Sequence, residues 1–282
     1  MNESASDNRS QSGRSDPALQ GLRLGFLGFG KMGQAIARGL RENHAPADLH
    51  LLAFDAAPLA DTVVKSVAGL QLLPSPDALE AQCDVLILAV KPGDLQTALA
   101  GLKGDRRYIS IAAGVGTERL RSFFPEGQNP HISRVMPNIS ALAGHSASGV
   151  FCPDDEFFSL SAAIFSAIGQ VTRVKSEELM HAVTGLSGSG PAYVLAMVHA
   201  MAEGGVQAGL PFPTALELAR ETLLGVAHLL RTTGEHPSAL RNQVTSPGGT
   251  TIAGLAALED GGFHGTVMRA VEAATDRSRE LE

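Results

Sequence analysis

The run Ser246-Pro247-Gly248-Gly249-Thr250-Thr251 sets three hydroxyls on a bend just ahead of an apolar stretch, Ile252 to Leu258. Pro and paired Gly turn the backbone sharply, and the residues that follow can open a helix whose first N–H groups lack intrahelical partners. Those donors, with the positive end of the helix dipole, form a receptor for a small carboxylate. Ser246, Thr250 and Thr251 add neutral donors, and the six residues include no Lys, His, Asp or Glu. Such a site suits a small anionic substrate that needs positioning and one hydrogen bond more than a strong base. A Gly-rich turn before a helix is often purely structural, so its meaning depends on the rest of the chain.

A second cluster lies near the other end. Leu22 to Leu27 reads as a short buried strand, followed by Gly28-Phe29-Gly30-Lys31-Met32-Gly33 and an amphipathic helix through about Asn43. This is G-x-G-x-x-G with a strand before it and a helix after it, the context that gives the motif meaning. Gly28 allows the tight turn, Gly30 lets the backbone approach a pyrophosphate, and Gly33 lets helix and strand pack closely. The next strand, Leu49 to Phe54, ends in Asp55, about twenty residues further on, where an acidic side chain bonds the adenosine ribose. The set points to a bound dinucleotide.

Three further residues are candidates for the same site. Lys91, in Ala89-Val90-Lys91-Pro92, follows the fourth strand and faces either the ligand crevice or solvent. Asn138, after Met136-Pro137, could bond the nicotinamide amide or ribose, or simply form a turn. Ser189, in Ser187-Gly188-Ser189-Gly190, lies between helices, where it could touch substrate or let backbones pack closely. The same placement argues against a hydrolase, because a nucleophile elbow follows a strand. The nine histidines show no paired or clustered ligand spacing, so no metal site is expected. Cys83 and Cys152 read as small core residues.

The elements that must position these residues follow from periodicity. The pattern predicts strands at 22–28, 49–54, 70–73, 84–90, 107–112, 131–135, 146–151 and 170–174, with helices between them, for example 56–67 and 93–102. Asp84 to Val90 is a continuous apolar run of the kind found inside a parallel sheet covered on both faces. The expected fold is α/β: a doubly wound, mostly parallel Rossmann sheet over 21–174, its last two strands candidates for antiparallel pairing. An all-α domain, 175–282, follows, with helices at 176–183, 191–208, 213–232, 237–243, 251–260 and 265–279. Pro191 to Ala202 carries no charge unless His199 is protonated. A helix apolar around its circumference must be enclosed, and a domain this small needs a second subunit to supply the missing wall.

Composition excludes several classes. The net charge of −7 and the lack of any basic cluster argue against nucleic acid. The apolar segment 192–202 is too short to span a bilayer. Residues 1–20 are rich in Ser, Asn, Asp and Arg with no apolar stretch, so they read as a disordered tail. A cytoplasmic enzyme with reduced thiols is expected.

Taken in order, Gly28 to Gly33, Ala89 to Pro92, Ala112-Ala113-Gly114, Met136-Pro137-Asn138, Thr184 to Tyr193, Gly204 to Gly209 and Ser246 to Thr251 resemble the Δ1-pyrroline-5-carboxylate reductases, which make proline. The resemblance covers about Leu22 to Glu280; its last motifs are specific, and its N-terminal fingerprint is shared with many dehydrogenases. It implies NAD(P)H bound by Gly28 to Gly33, Asp55, Ala89 to Pro92, Ala112 to Gly114 and Asn138. It implies a helical domain that interlocks with a second subunit as a dimer or larger assembly to build the substrate site. The substrate is then a five-membered cyclic imine acid. Ser246, Gly248, Gly249, Thr250 and Thr251 hold its carboxylate beside Ser189, and Thr251 bonds the ring nitrogen and relays a proton. A six-membered ring differs by one methylene, worth only about 1–3 kcal/mol in discrimination.

In one respect the chain departs from the family pattern. Members often carry Asn-Arg or Ser where this chain has Asp55-Ala56-Ala57. A carboxylate repels the 2′-phosphate of NADPH, so NADH preference is expected. Pro76 also stands where a polar ribose contact is usual. Two other readings share part of this pattern. A β-hydroxyacid dehydrogenase shares the fingerprint but needs a helix lysine, and Lys175, followed by Ser-Glu-Glu, is the only lysine after Lys103. A non-catalytic dinucleotide-binding protein would leave the hydroxylated turn without a purpose.

Overall fold

The computed structural model describes residues 16–43 and 46–282. Alternating short apolar runs and helical segments build one eight-stranded sheet. Its strands are β1 (Arg23–Leu27), β2 (His50–Phe54), β3 (Leu70–Leu72), β4 (Val85–Leu88), β5 (Arg107–Ser110), β6 (His131–Met136), β7 (Ser146–Phe151) and β8 (Gly169–Arg173). Their spatial order is β3-β2-β1-β4-β5-β6-β7-β8. The first six are parallel; β7 runs against β6, and β8 lies parallel to β7.

Side chains alternate across the sheet, so the strands feed two cores. Phe26, Leu51, Ile87 and Ile109 pack on one face with Ile36 and Leu40 of α1 (Lys31–Asn43) and Ile164 and Phe165 of α6 (Asp155–Ser166). Leu27, Leu52, Leu86 and Leu88 pack on the other with Leu79 of α3 (Pro76–Gln82), Leu95 and Leu99 of α4 (Leu95–Leu99), and Leu120 of α5 (Thr117–Arg121). β4 is buried along its whole length, as its unbroken apolar run requires. Cys83 and Cys152 are both buried within these cores.

After β8 the strands stop. α7 (Leu179–Val183) runs into a π-helical turn, Thr184–Gly188, followed by α8 (Gly190–Gln207), α9 (Phe212–Thr233), α10 (Pro237–Gln243), α11 (Thr250–Asp260) and α12 (Phe263–Glu280). Residues 190–270 form a compact unit of their own, and 16–189 together with 271–282 form the other. Packing therefore carries the sheet unit past its last strand as far as residue 189. The reason lies in α7 and the π-helical turn, which stay on the sheet unit. Gly149 of β7 has no room for a Cβ beside Val183, and Gly188 has none beside Met136 of β6.

The helical unit has a small core of its own, Val198, Ala202, Ala215 and Ala219 with Leu223 against them. The segment 191–202 is not enclosed within one chain: Leu195 is 67 % exposed, and Leu224 and Met268 are also largely open. Nothing in α11 is buried.

Two local expectations are corrected. The helix expected over 56–67 is confined to α2 (Asp61–Lys65), because Pro58 disfavours helical backbone at Ala57 and the Ala57 N–H is taken by the Asp55 carboxylate. The expected helix over 93–102 is a 3-10 turn, Pro92–Asp94, followed by the short α4. The disordered tail expected over 1–20 falls mainly outside the described residues. Its last part is ordered: Pro17–Leu19 form a 3-10 turn capped by Asp16, with Leu19 fully buried.

Candidate active site

Because β1, β2, β4, β5 and β6 are parallel, the segments that follow them all emerge at one edge of the sheet. The strand order reverses between β1 and β4, and such switch points are where doubly wound sheets bind ligands. Gly28 follows β1 and Ala89 follows β4, and the two touch. Gly28 has φ +88°, and a Cβ there would lie 2.9 Å from the Ala89 carbonyl and from Val90 Cγ1. A Cβ at Gly33 would lie 3.1 Å from the Gly28 carbonyl oxygen, close to Phe29 and Phe26. Both positions need glycine for packing within the protein.

Gly30 differs: a Cβ there would meet nothing within 4 Å. No protein atom fills the space over this backbone, and α1 begins at the next residue. Its first-turn N–H groups are those a helix leaves unpaired. The residues present therefore fit a dinucleotide pyrophosphate. The Phe29 side chain is fully buried, edge-on to Phe26 at 5.5 Å, so only its backbone borders the site. Lys31 is exposed and Met32 half-buried.

Asp55 closes this end of the site. One carboxylate oxygen accepts the Phe29 N–H at 2.7 Å, and the other accepts the Ala57 N–H at 2.9 Å. Lys91 and Pro92 are exposed at the start of the 3-10 turn, while Ala89 and Val90 are half-buried. Ala112 is buried, and its N–H donates to Ser110 Oγ at 3.3 Å. Gly114 has φ +67° and is buried.

Asn138 is committed within the protein. Its Oδ1 accepts the Ser140 N–H at 3.1 Å, and its Nδ2 donates to the Ser187 carbonyl at 2.9 Å. The amide thus clamps the end of β6 to the π-helical turn. Ser189 is half-buried, and its N–H donates to the Thr184 carbonyl at 2.8 Å.

The hydroxylated bend stands in the helical unit. The Gly249 N–H donates to the Ser246 carbonyl at 3.0 Å, with Pro247 and Gly248 (φ +66°) between them. Pro followed by a positive-φ Gly is the type II combination. A Cβ on Gly249 would run into Ser246 Oγ, so any other residue here displaces that hydroxyl. Gly249 is the N-cap of α11 and has no side-chain cap bond. Thr250 and Thr251 occupy the first helical turn and are both exposed. Their hydroxyls are therefore not the cap, and they stand beside unpaired helix N–H groups as an anion receptor requires.

Sequence reasoning missed one polar cluster. Arg134 of β6 is 5 % exposed, and its Nη1 lies 2.9 Å from Glu177 Oε1. Glu177 also accepts the Thr117 N–H at 2.6 Å and the Thr117 hydroxyl at 2.7 Å. Burial pushes the Glu177 carboxyl up. The Thr117 hydroxyl, Arg134 and the Thr117 N–H outweigh that and hold it below the ordinary carboxylate range. The only signal in the sequence was a charged residue inside the buried strand His131–Met136.

Among the described residues no group of His, Cys, Asp and Glu could hold a metal ion, and no helix is long and apolar enough to cross a membrane.

Two family models match different parts of the chain. Residues 177–281 match the family described as pyrroline-5-carboxylate reductase dimerisation, and residues 23–114 match that described as NADP oxidoreductase coenzyme F420-dependent. The chain is 43 % identical to a pyrroline-5-carboxylate reductase of Synechocystis, over 92 % of this chain and 98 % of that one. It is 41 % identical to one of Glycine max, over 92 % and 95 %. Among solved structures it is similar to a pyrroline-5-carboxylate reductase from Coxiella burnetii (TM-score 0.84, 30 % identity, 93 % of this chain and 99 % of that one). It is also similar to a Plasmodium falciparum pyrroline carboxylate reductase with NADP bound (TM-score 0.81, 28 % identity, 93 % and 99 %).

Proposed function

The chain belongs to the pyrroline-5-carboxylate reductase family, and from that premise we propose how its own residues divide the NAD(P)H-dependent reduction of 1-pyrroline-5-carboxylate to proline. The observation that carries the proposal is the open backbone at Gly30, set between two glycines that have no such space. Gly28 to Gly33 and the start of α1 hold the pyrophosphate, and Asp55 lies where the adenosine ribose is read. Ala89 to Pro92 and Ala112 to Gly114 border the rest of the dinucleotide, with Asn138 fixing the wall behind it.

When bound, the reduced nicotinamide supplies hydride to the imine carbon. The chain's residues do the positioning. The helix N–H groups at 249–251 and the hydroxyls of Ser246 and Thr250 take the substrate carboxylate, and Thr251 Oγ1 donates to the ring nitrogen as it becomes an amine. Ser189 lies on the segment leading into α8 and would line the same pocket. A protonated imine is already electrophilic, so alignment and modest polarisation suffice.

The finer cofactor preference follows from charge. Asp55 leaves a carboxylate at the end of β2, and a 2′-phosphate there meets repulsion, so NADH is preferred over NADPH. Self-association is supported by the dimerisation family match and by the exposed apolar side chains of α8, α9 and α12. A partner subunit covering those faces would complete the substrate pocket.

Steady-state assays with both cofactors and both imine ring sizes test this reading. It requires turnover with the five-membered imine acid and a higher kcat/KM with NADH. Cofactor binding without turnover would overturn it.

A further inference from the structure

We propose that the end of α12 together with the two residues after it, 278–282, is a brace that sets the position of the loop joining β5 to α5, with Glu282 as the positioning residue. The proposal rests on the reading of Ala112 to Gly114 as a wall of the cofactor site.

The contact is close and specific. A Cβ on Gly114 would lie 2.7 Å from Leu281 Cβ and 3.1 Å from the Ser278 carbonyl oxygen. A Cβ on Gly116 would run into Glu282 Oε1. Two glycines of one loop thus lie directly against one chain end: Gly114 meets its backbone and a Cβ, where a shift has no flexible side chain to absorb it, and Gly116 meets the Glu282 carboxylate.

Glu282 ties this end to three other elements. Its Oε2 lies 3.0 Å from Nε2 of His181 on α7, a ring only 2 % exposed, and its Oε1 lies 3.7 Å from Nη1 of Arg134 on β6. The His181 Nδ1 in turn lies 3.0 Å from Ser278 Oγ, one turn back on α12. Arg119 of α5 donates to the Glu282 carbonyl, and to that of Leu281 at 3.4 Å. The far end of the loop is pinned independently by Thr117 on Glu177.

A merely structural role is disfavoured by exposure. The Glu282 side chain is 39 % exposed and Leu281 48 %, so their removal uncovers little core. Their effect should fall on the loop they touch, and through it on the nicotinamide half of the cofactor. The adenosine half is read at β1 and β2, away from this contact. α12 also begins in the helical unit and ends here.

The test uses the full-length enzyme with Glu282→Ala, with a deletion of residues 281–282, and with Arg277→Ala as a control on the exposed side of the same helix. Measured quantities are KM for NADH and for the imine, kcat, melting temperature, and binding of ADP-ribose, which lacks the nicotinamide. Both brace variants should raise KM for NADH about five- to twentyfold. ADP-ribose affinity and imine KM should stay within about twofold even where loss of the buried His181 ring's partner lowers the melting temperature, while Arg277→Ala matches wild type. Equal losses for NADH and ADP-ribose, or no change in either, would overturn the brace. A wild-type enzyme that bound neither NADH nor ADP-ribose would instead overturn the cofactor reading beneath it.

Discussion

The Asp55 carboxylate accepts the Phe29 N–H at 2.7 Å, so the acid at the end of β2 holds the glycine-rich turn. Asp55→Asn keeps a carbonyl oxygen for one of the two N–H donors but removes the charge. The ratio of kcat/KM for NADH over NADPH should therefore fall by about tenfold or more, a change worth about 1.4 kcal/mol. An unchanged ratio would show that this carboxylate serves the turn alone.

The three glycines of the turn separate structure from ligand binding. Gly28→Ala forces an L-residue to φ +88° with its Cβ 2.9 Å from Ala89, costing on the order of 1–2 kcal/mol for backbone conformation before any clash. It should lower the melting temperature. Gly30→Ala meets no protein atom, so stability should change by less than about 0.5 kcal/mol while KM for NADH rises at least about tenfold. Thermal melts and cofactor titrations of the two variants check the contrast.

Thr251 stands at the start of α11 without acting as its cap. Removing its hydroxyl by Thr251→Ala should lower kcat by about 10²–10³, the cost of losing one well-placed donor to a developing charge, with KM for NADH little changed. Thr251→Ser should retain most of the activity. Gly249→Ala, which drives a methyl into Ser246 Oγ, should act mainly on KM for the imine acid.

Glu177 contributes stability that acid removes. Its folded-state pKa lies below the ordinary value of 4.5 despite burial, because Thr117 and Arg134 stabilise the charged form. The stability it contributes is complete above that ordinary value and is lost as pH falls through the lower folded value. Melting temperature should therefore drop below about pH 4.5, and Glu177→Gln should flatten that acid limb while lowering stability at neutral pH. An acid limb unchanged in the variant would assign the drop to other carboxylates.

Much of this was legible in the residues. The strands showed themselves as apolar runs bounded by turns, and the G-x-G-x-x-G context fixed the turn after β1 because strand, glycines, helix and Asp55 all had to agree. The bend at Ser246 was equally plain, since Pro and two glycines admit few conformations. Other features depend on contacts between residues distant in sequence. Nothing local marks the pairing of Arg134 with Glu177, or the return of α12 to the sheet unit, which moves the compact boundary past α7. Asn138 illustrates the limit: its position after Pro137 was compatible with a ligand contact, and only the Ser187 carbonyl, on a different element, shows where its amide is used.

The central claim is that the bend at Gly28 to Gly33 and the bend at Ser246 to Thr251 serve one reaction. The most direct measurement follows the absorbance of NADH when 1-pyrroline-5-carboxylate is added to wild-type, Gly30→Ala and Thr251→Ala enzymes. The account predicts rapid loss of absorbance with wild type, loss restored by excess cofactor in Gly30→Ala, and little loss at any cofactor level in Thr251→Ala. Full activity in both variants, or none in wild type that binds NADH, would contradict it.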